Sequence, residues 1–300
     1  LNLTTSQTSL TAITITDCRL TAFTETIPSQ VQTINLSNGT LSVNDIRNRI
    51  SVFTPNFTNA TGLITLQISN NFTITTIPTT ISSCSSLQTL DASTNSLTSL
   101  PTLPSTLRGL NLGANSFSGN FNYPLPSSLR SLNLGQNTVA RRNSITTFSS
   151  TLTSTSITGF SMSANLLQQW TVQFPNTIRA VSFDGVSNNR NSLSGLNLSL
   201  LVGVETLGVQ FQTYLSGSVT LKSFTGFTNL ASVSSTLKSL DISSNYFPDG
   251  FSSLLPLPST LTALTMNEIY GPSVLPNTAG TIFPFSTWNV NFLTSCPNIK

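Results

Sequence analysis

The chain of 300 residues contains no histidine, which removes the usual general base, proton shuttle and metal ligand. Serine and threonine account for 94 residues. With no imidazole beside any hydroxyl and no GxSxG elbow, nothing in the sequence turns one of them into a nucleophile. The three cysteines, Cys18, Cys84 and Cys296, are an odd set with no CxxC spacing, so neither a zinc site nor a disulfide framework is expected. An odd count leaves one thiol for a partner beyond this chain. No phosphate loop or calcium loop pattern is present. The remaining reactive groups are nine carboxylates, and whether any two of them meet depends on the elements that carry them.

A second kind of chemistry is modification. Asn-x-Ser/Thr sequons begin at Asn2, Asn35, Asn38, Asn56, Asn59, Asn71 and Asn197, the pattern that accepts N-linked sugar in a secreted chain. Asn56 and Asn59 are the best expected acceptors, with Asn38, Asn2 and Asn197 next. Dense Ser/Thr also permits O-linked sugar.

Charge is scarce. Only 7% of residues are charged, while 38% are hydrophobic, so the chain can bury a core but presents a surface that tends to associate. A sugar coat or burial of the surface in an assembly would solve that problem, and both point to an extracellular or cell-surface setting. The net charge of +3 is scattered and gives no footprint for nucleic acid. No stretch reaches the roughly 18 apolar residues of a membrane span. The chain opens in mid-pattern at Leu1, as a processed or truncated piece of a longer precursor would.

The elements emerge from an internal repeat. Leu87-Gln-Thr-Leu90-Asp-Ala92-Ser-Thr-Asn95 is followed by Leu107-Arg-Gly-Leu110-Asn-Leu112-Gly-Ala-Asn115. Leu129-Arg-Ser-Leu132-Asn-Leu134-Gly-Gln-Asn137 and Leu237-Lys-Ser-Leu240-Asp-Ile242-Ser-Ser-Asn245 repeat the theme. Weaker copies start at Leu10, Val31, Leu63, Ile157, Ile178, Val204 and Leu261, giving eleven units over about residues 8 to 285. The two apolar residues of each LxL lie two apart, so both face one side of a short strand. Stacking such strands buries an apolar column that no single unit could bury.

The signature LxxLxLxxN resembles that of the leucine-rich-repeat family. The resemblance implies a repeat solenoid: a curved leucine-rich-repeat stack with a parallel β-sheet on its concave face. Pro, Ser, Thr and Gly after each strand favour extended or short 3-10 segments on the convex face. Residues 1–300 read as one such domain, with 286–300, around Trp288 and Cys296, as a C-terminal closing segment. Longer insertions follow Gly39, Asn137, Val186 and Gln212. The Asn that ends each signature satisfies backbone groups where the chain leaves the strand, so Asn71, Asn95, Asn115, Asn137, Asn165 and Asn245 form a buried ladder. Asn71 is thereby excluded as a sugar acceptor. Cys18 occupies the same position in the first unit and is expected to be a buried, unreactive thiol.

The register also gives the outward face as three columns. The first, Ala12, Thr33, Thr65, Thr89, Gly109, Ser131, Gly159, Ala180, Thr206, Ser239 and Ala263, holds only small residues. The second and third are Asn, Asp, Ser, Thr, Gly and Gln, with no Trp, Tyr or Arg of the kind that anchors protein interfaces. Asp91 and Asp241 fall six strands apart, about 29 Å, too far for a paired-carboxylate mechanism. Asp184 and Asp241 fall two strands apart, about 10 Å, with no neighbour in sequence to raise either pKa. No catalytic residue, cofactor or metal is therefore expected, and the sequence does not read as that of an enzyme.

Two functions fit such a scaffold. The first is a structural glycoprotein of a fibre, cell wall or surface coat that self-associates through solenoid surfaces or ends. The second, which the family resemblance also implies, is an adhesion or recognition ectodomain for a protein or glycan. Its candidate ligand contacts are Arg141, Arg142, Arg190 and Tyr214 in the insertions. Ice binding is a distant third, since only Thr14 and Thr16 fill both outer columns of one strand with Thr.

Overall fold

A computed structural model describes residues 9–38, 47–135, 143–185, 191, 193–210, 227–228, 230–233, 235–245 and 257–266. The strands run β1 (Ala12–Thr14), β2 (Ala22–Phe23), β3 (Thr33–Asn35), β4 (Val52–Phe53), β5 (Thr65–Gln67) and β6 (Thr89–Asp91). They continue with β7 (Gly109–Asn111), β8 (Ser118–Phe121), β9 (Ser131–Asn133), β10 (Ser144–Phe148), β11 (Gly159–Ser161) and β12 (Ala180–Ser182). The last are β13 (Leu196–Asn197), β14 (Thr206–Gly208), β15 (Phe227–Thr228), β16 (Ser239–Asp241) and β17 (Ala263–Thr265).

Eleven of them form one sheet in the order β1-β3-β5-β6-β7-β9-β11-β12-β14-β16-β17. Every pairing is parallel and without a register slip: Leu66 faces Leu90, Leu90 faces Leu110, and Leu110 faces Leu132. The first two outward columns inferred from sequence are the columns observed. Period-2 alternation explains the register, because a slip of one residue would turn every buried leucine to solvent. The inward residues Leu63, Leu66 and Ile68 of one unit and Leu87, Leu90 and Ala92 of the next are fully buried. Each strand is only three residues long, so its stability comes from its neighbours rather than from its own length.

Away from the sheet the described residues are mostly extended, with three 3-10 turns among them at Thr79–Ser83, Leu198–Leu201 and Leu230–Val233. Three small parallel pairs, β2 with β4, β8 with β10, and β13 with β15, lie there. The Pro-x-x-apolar steps that precede many face strands are tight turns. The carbonyls of Pro28, Pro104, Pro126, Pro175 and Pro258 accept the N–H of the apolar residue three places on. The hydroxyl just before that residue then reaches back one unit. Thr106 Oγ1 donates to the Leu87 carbonyl at 2.9 Å, Thr177 Oγ1 to Ile157 at 2.8 Å and Thr260 Oγ1 to Leu237 at 2.7 Å. Much of the Ser/Thr content therefore ties repeat to repeat.

Rings fill the core between β8 and β12. Phe121 stacks on Phe148 with centroids 5.5 Å apart, and Trp170 stacks on Phe174 at 5.0 Å. Phe160 and Phe183 close the cluster against Trp170. These aromatic side chains are structural cargo, buried rather than offered to a partner. Among the described residues no helix is long and apolar enough to cross a membrane. Residues 286–300 lie outside the described residues.

Candidate functional site: the outward face of the sheet

Where each strand ends, an Asx turn bends the chain away. The carboxyl or amide oxygens of Asn35, Asp91, Asn111, Asn133 and Asp241 accept the N–H two residues on, at Ser37, Ser93, Gly113, Gly135 and Ser243. The residue before the ladder position then takes left-handed backbone: Asn70, Thr94, Ala114, Ala164 and Ser244 all have φ between 54° and 60°. The next side chain is thereby turned inward.

That side chain is the ladder Asn. Asn115 Nδ2 donates to the carbonyls of Ala92 and Leu112, each at 3.0 Å, and its Oδ1 accepts the Leu97 N–H at 3.0 Å. Asn165 repeats the arrangement with Leu134, Met162 and the Ile145 N–H. Asn71, Asn95 and Asn245 donate in the same manner to their own strand and the preceding one. Asn71 Oδ1 and Asn95 Oδ1 are buried without a hydrogen-bond partner.

Three further ladder residues escaped sequence reasoning. Asn137 lies outside the described residues; the bonds of its unit are made by Asn143, which donates to Leu112 and Leu134 and accepts from Phe117. Asn48 and Asn191 do the same in the units that start at Val31 and Ile178. In these three units the insertion falls between strand and Asn, not after it; the insertion after Gln212 lies outside the described residues. A signal was present: an Asn followed two places on by a buried apolar residue, as in Asn48-Arg-Ile50, Asn143-Ser-Ile145 and Asn191-Ser-Leu193.

Cys18 is a correction. Its N–H is held by Asn48 Oδ1 at 3.1 Å, but its side chain is exposed, with Sγ donating to the Thr16 carbonyl at 2.9 Å. It belongs to the first strand's unit, so no earlier described unit packs over it. Cys84 is the buried thiol, and burial pushes its pKa up to about 12. In a Cys296→Ser background, the folded protein is expected to react with a maleimide at Cys18 alone, and Cys84 only after unfolding. Labelling of Cys84 at the same rate as Cys18 in native conditions would contradict this burial.

The outward columns enclose a shallow hollow of about 490 Å³ over β9 to β17. Its floor is a chain of polar side chains that hold one another. Ser163 Oγ lies 2.6 Å from Ser182 Oγ, which donates to Asp184 Oδ2 at 2.6 Å. Asp184 Oδ1 accepts the Gln210 N–H at 2.9 Å, and Gln210 Nε2 donates to Asp241 Oδ2 at 2.8 Å. Gly208 makes room for this: a Cβ there would stand 2.6 Å from both Asp184 carboxyl oxygens. A single ribbon of hydrogen bonds so links β11, β12, β14 and β16, and Gln210 joins the two carboxylates that sequence alone left separate.

The environment of Asp184 also differs from expectation. Burial raises its pKa above the ordinary carboxylate value, against the lowering effect of the Ser182 and Gln210 hydrogen bonds, and the Asp241 charge raises it further. A carboxyl whose pKa rises on folding binds its proton more tightly in the native state. Stability therefore falls as pH climbs from the ordinary carboxylate pKa through the raised one. Asp184→Asn is expected to melt higher than the parent at neutral pH and to lose that advantage in acid below the ordinary value. An advantage unchanged by acid would show that charge burial is not its cause.

Beside this floor runs the lip from which each strand starts. Arg179 Nε pairs with Glu205 Oε1 at 3.4 Å and Lys238 Nζ with Glu205 Oε2 at 2.7 Å. The Lys238 hydrogen bond holds the Glu205 carboxyl below its ordinary pKa. Arg141, Arg142, Arg190 and Tyr214, the contacts suggested by sequence, lie outside the described residues, as does Asn2. Of the other sugar acceptors, Asn56 and Asn59 are exposed and Asn197 half-buried. Asn38 is a correction: it is 5% exposed, its Nδ2 donates to the Asn48 and Asn70 carbonyls and its Oδ1 accepts the Asn48 N–H. A glycan would replace one of the two hydrogens that make these donations and would have to stand in a buried site.

No family model and no curated protein matches the sequence. Solved structures do match. The functional domain of InlJ from Listeria monocytogenes, described as including a cysteine ladder, superposes with a TM-score of 0.56 at 17% identity, over 98% of this chain and 59% of that one. The fold is a leucine-rich-repeat solenoid. The chain spans about three fifths of the length of that InlJ structure. An internalin, InlF, of the same species aligns at 12% identity over 97% of this chain and 86% of its own, with a TM-score of 0.46. A leucine-rich-repeat protein of Leptospira interrogans aligns at 16% identity over 91% and 77%, with a TM-score of 0.37. At these identities the likeness concerns the solenoid fold.

Proposed function

We propose that this solenoid is a non-enzymatic recognition module, an adhesion or recognition ectodomain that holds a protein or glycan ligand on the outward face of its sheet. The supporting observation is the hollow over β9 to β17, whose polar floor is fixed in place by its own hydrogen bonds before any ligand arrives. Such pre-organisation lowers the ordering cost of binding. Donors and acceptors without an activated nucleophile suit recognition rather than turnover. The test is a glycan-array and protein-binding screen of the intact chain, repeated with Thr206→Trp, which fills the hollow from an exposed position. A ligand weakened tenfold or more by that change fits the reading. Ligands that all bind the variant unchanged overturn it.

A second reading, a self-associating structural glycoprotein of a fibre, cell wall or surface coat, is favoured by the 7% charge content. Regular filaments in electron micrographs of native material would support it, and separate particles at high concentration would sink it. Either reading places the chain outside the cell. There Asn56 and Asn59 are the expected sugar sites, exposed and each within a sequon. Expression in a secreting eukaryotic cell should add a glycan mass that endoglycosidase removes. Asn56→Gln together with Asn59→Gln should remove most of it, and an unchanged mass would refute the assignment.

A further inference from the structure

We propose that the lip of the sheet around Arg108 and Arg130 binds an acidic polysaccharide laid across the strands. The lip is one continuous column. The Arg108 N–H donates to the Gln88 carbonyl at 2.8 Å, Arg130 to Arg108 at 2.8 Å, Thr158 to Arg130 at 2.8 Å and Arg179 to Thr158 at 2.9 Å. Glu205 and Lys238 continue it at 2.7 and 2.9 Å. The side chains of this column follow one another at the strand spacing of about 4.8 Å.

In a chain of only 12 basic residues, four stand on this line: Arg108, Arg130, Arg179 and Lys238. Arg179 and Lys238 share Glu205. Arg108 and Arg130 are exposed, and among the described residues neither has an acidic partner. Two adjacent guanidinium groups repel each other until an anion bridges them, and each presents a planar fork suited to a carboxylate or sulfate.

The floor next to them selects the kind of polyanion. Asn133 Nδ2 donates to Asn111 Oδ1 at 3.0 Å, and among the described residues nothing accepts from Asn111 Nδ2. Amides and the Ser131 hydroxyl at that place suit sugar hydroxyls. None of the outward columns of the described strands carries an aromatic ring, so bases have no stacking platform and an acidic peptide no aromatic anchor. A linear sugar acid needs neither.

This inference rests on the recognition reading, because the sugar backbone is placed on the same face. The test uses dextran sulfate and polygalacturonate as sulfate and carboxylate probes, with neutral dextran, poly-glutamate and single-stranded DNA for comparison, all at several salt concentrations. Arg108→Gln with Arg130→Gln is expected to weaken binding of one acidic polysaccharide at least about tenfold and to flatten its salt dependence. Arg19→Gln with Arg49→Gln, which removes the same charge at the far end of the stack, is expected to leave it within about twofold. Equal losses from both pairs, or equally tight binding of poly-glutamate or DNA, would overturn the assignment. Failure of every polyanion to bind, while another ligand is lost on Thr206→Trp, would overturn it and leave the recognition reading standing.

Discussion

Asn115→Ala is expected to cost the central repeats roughly 3 to 5 kcal/mol: one buried N–H is left unpaired, at about 1 to 3 kcal/mol, and two carbonyls each lose one hydrogen bond, at about 1 kcal/mol. The Ala92 and Leu112 carbonyls each lose one of two donors, keeping Asn95 and Asn143, while the Leu97 N–H loses its acceptor in a site 2% exposed. Asn95→Ala provides the control. Its Nδ2 makes the equivalent bonds to Ile68 and Ala92, but its Oδ1 accepts nothing. The loss there should be smaller by about 1 to 3 kcal/mol, the cost of leaving one buried N–H unpaired. Urea unfolding of both variants measures the difference, and amide exchange at Leu97 locates it. Equal losses would mean that the carbonyl half of the ladder contributes nothing. Because repeats unfold by neighbours rather than all at once, exchange is the more informative of the two readouts.

The sheet was legible in the sequence because two signals coincide there. Period-2 alternation fixes which side chains turn inward, and recurrence every 20 or so residues fixes which strands are neighbours. Ala12 pairs with Thr33 and Ser239 with Ala263 as the aligned repeats require. The ladder was harder to read wherever an insertion separates strand from Asn. Asn143 stands nine positions after Leu134, and Asn48 twelve after Leu36. Spacing fails at that point, and only the apolar residue two places beyond marks the Asn. The site was hidden for a different reason. Arg108, Asp184 and Gln210 look like scattered polar residues until the stacking places them in columns, because a solenoid brings together residues one full repeat apart. Burial of the Asp184 carboxyl has no sequence signal at all, since it depends on Gly208 of the next strand leaving space for it.

Glycine shows how far that hidden spacing is enforced. Gly113→Ala is expected to destabilise the repeats by about 3 kcal/mol, at the upper end for overpacking. Its backbone is not left-handed, so the effect is purely steric. A Cβ there would collide with the Gly135 carbonyl and crowd Asn133 Nδ2 at 3.3 Å and Asn111 Oδ1 at 3.4 Å. Two of these atoms belong to the adjacent unit's strand exit, which would have to open. Gly109, in the same unit but in the first column, has its nearest such neighbours at 4.0 Å. Gly109→Ala should therefore be neutral or gain up to about 1 kcal/mol from a less flexible unfolded chain. The two glycines are small for different reasons. In the third column the neighbouring repeat demands it, whereas in the first the fold does not, and a low surface beside Arg108 serves whatever lies against the face. If Gly109→Ala keeps its stability and weakens ligand binding, the small first column belongs to recognition. If both variants melt alike, close approach of the strands accounts for both glycines, and the small first column is a packing feature rather than a recognition one.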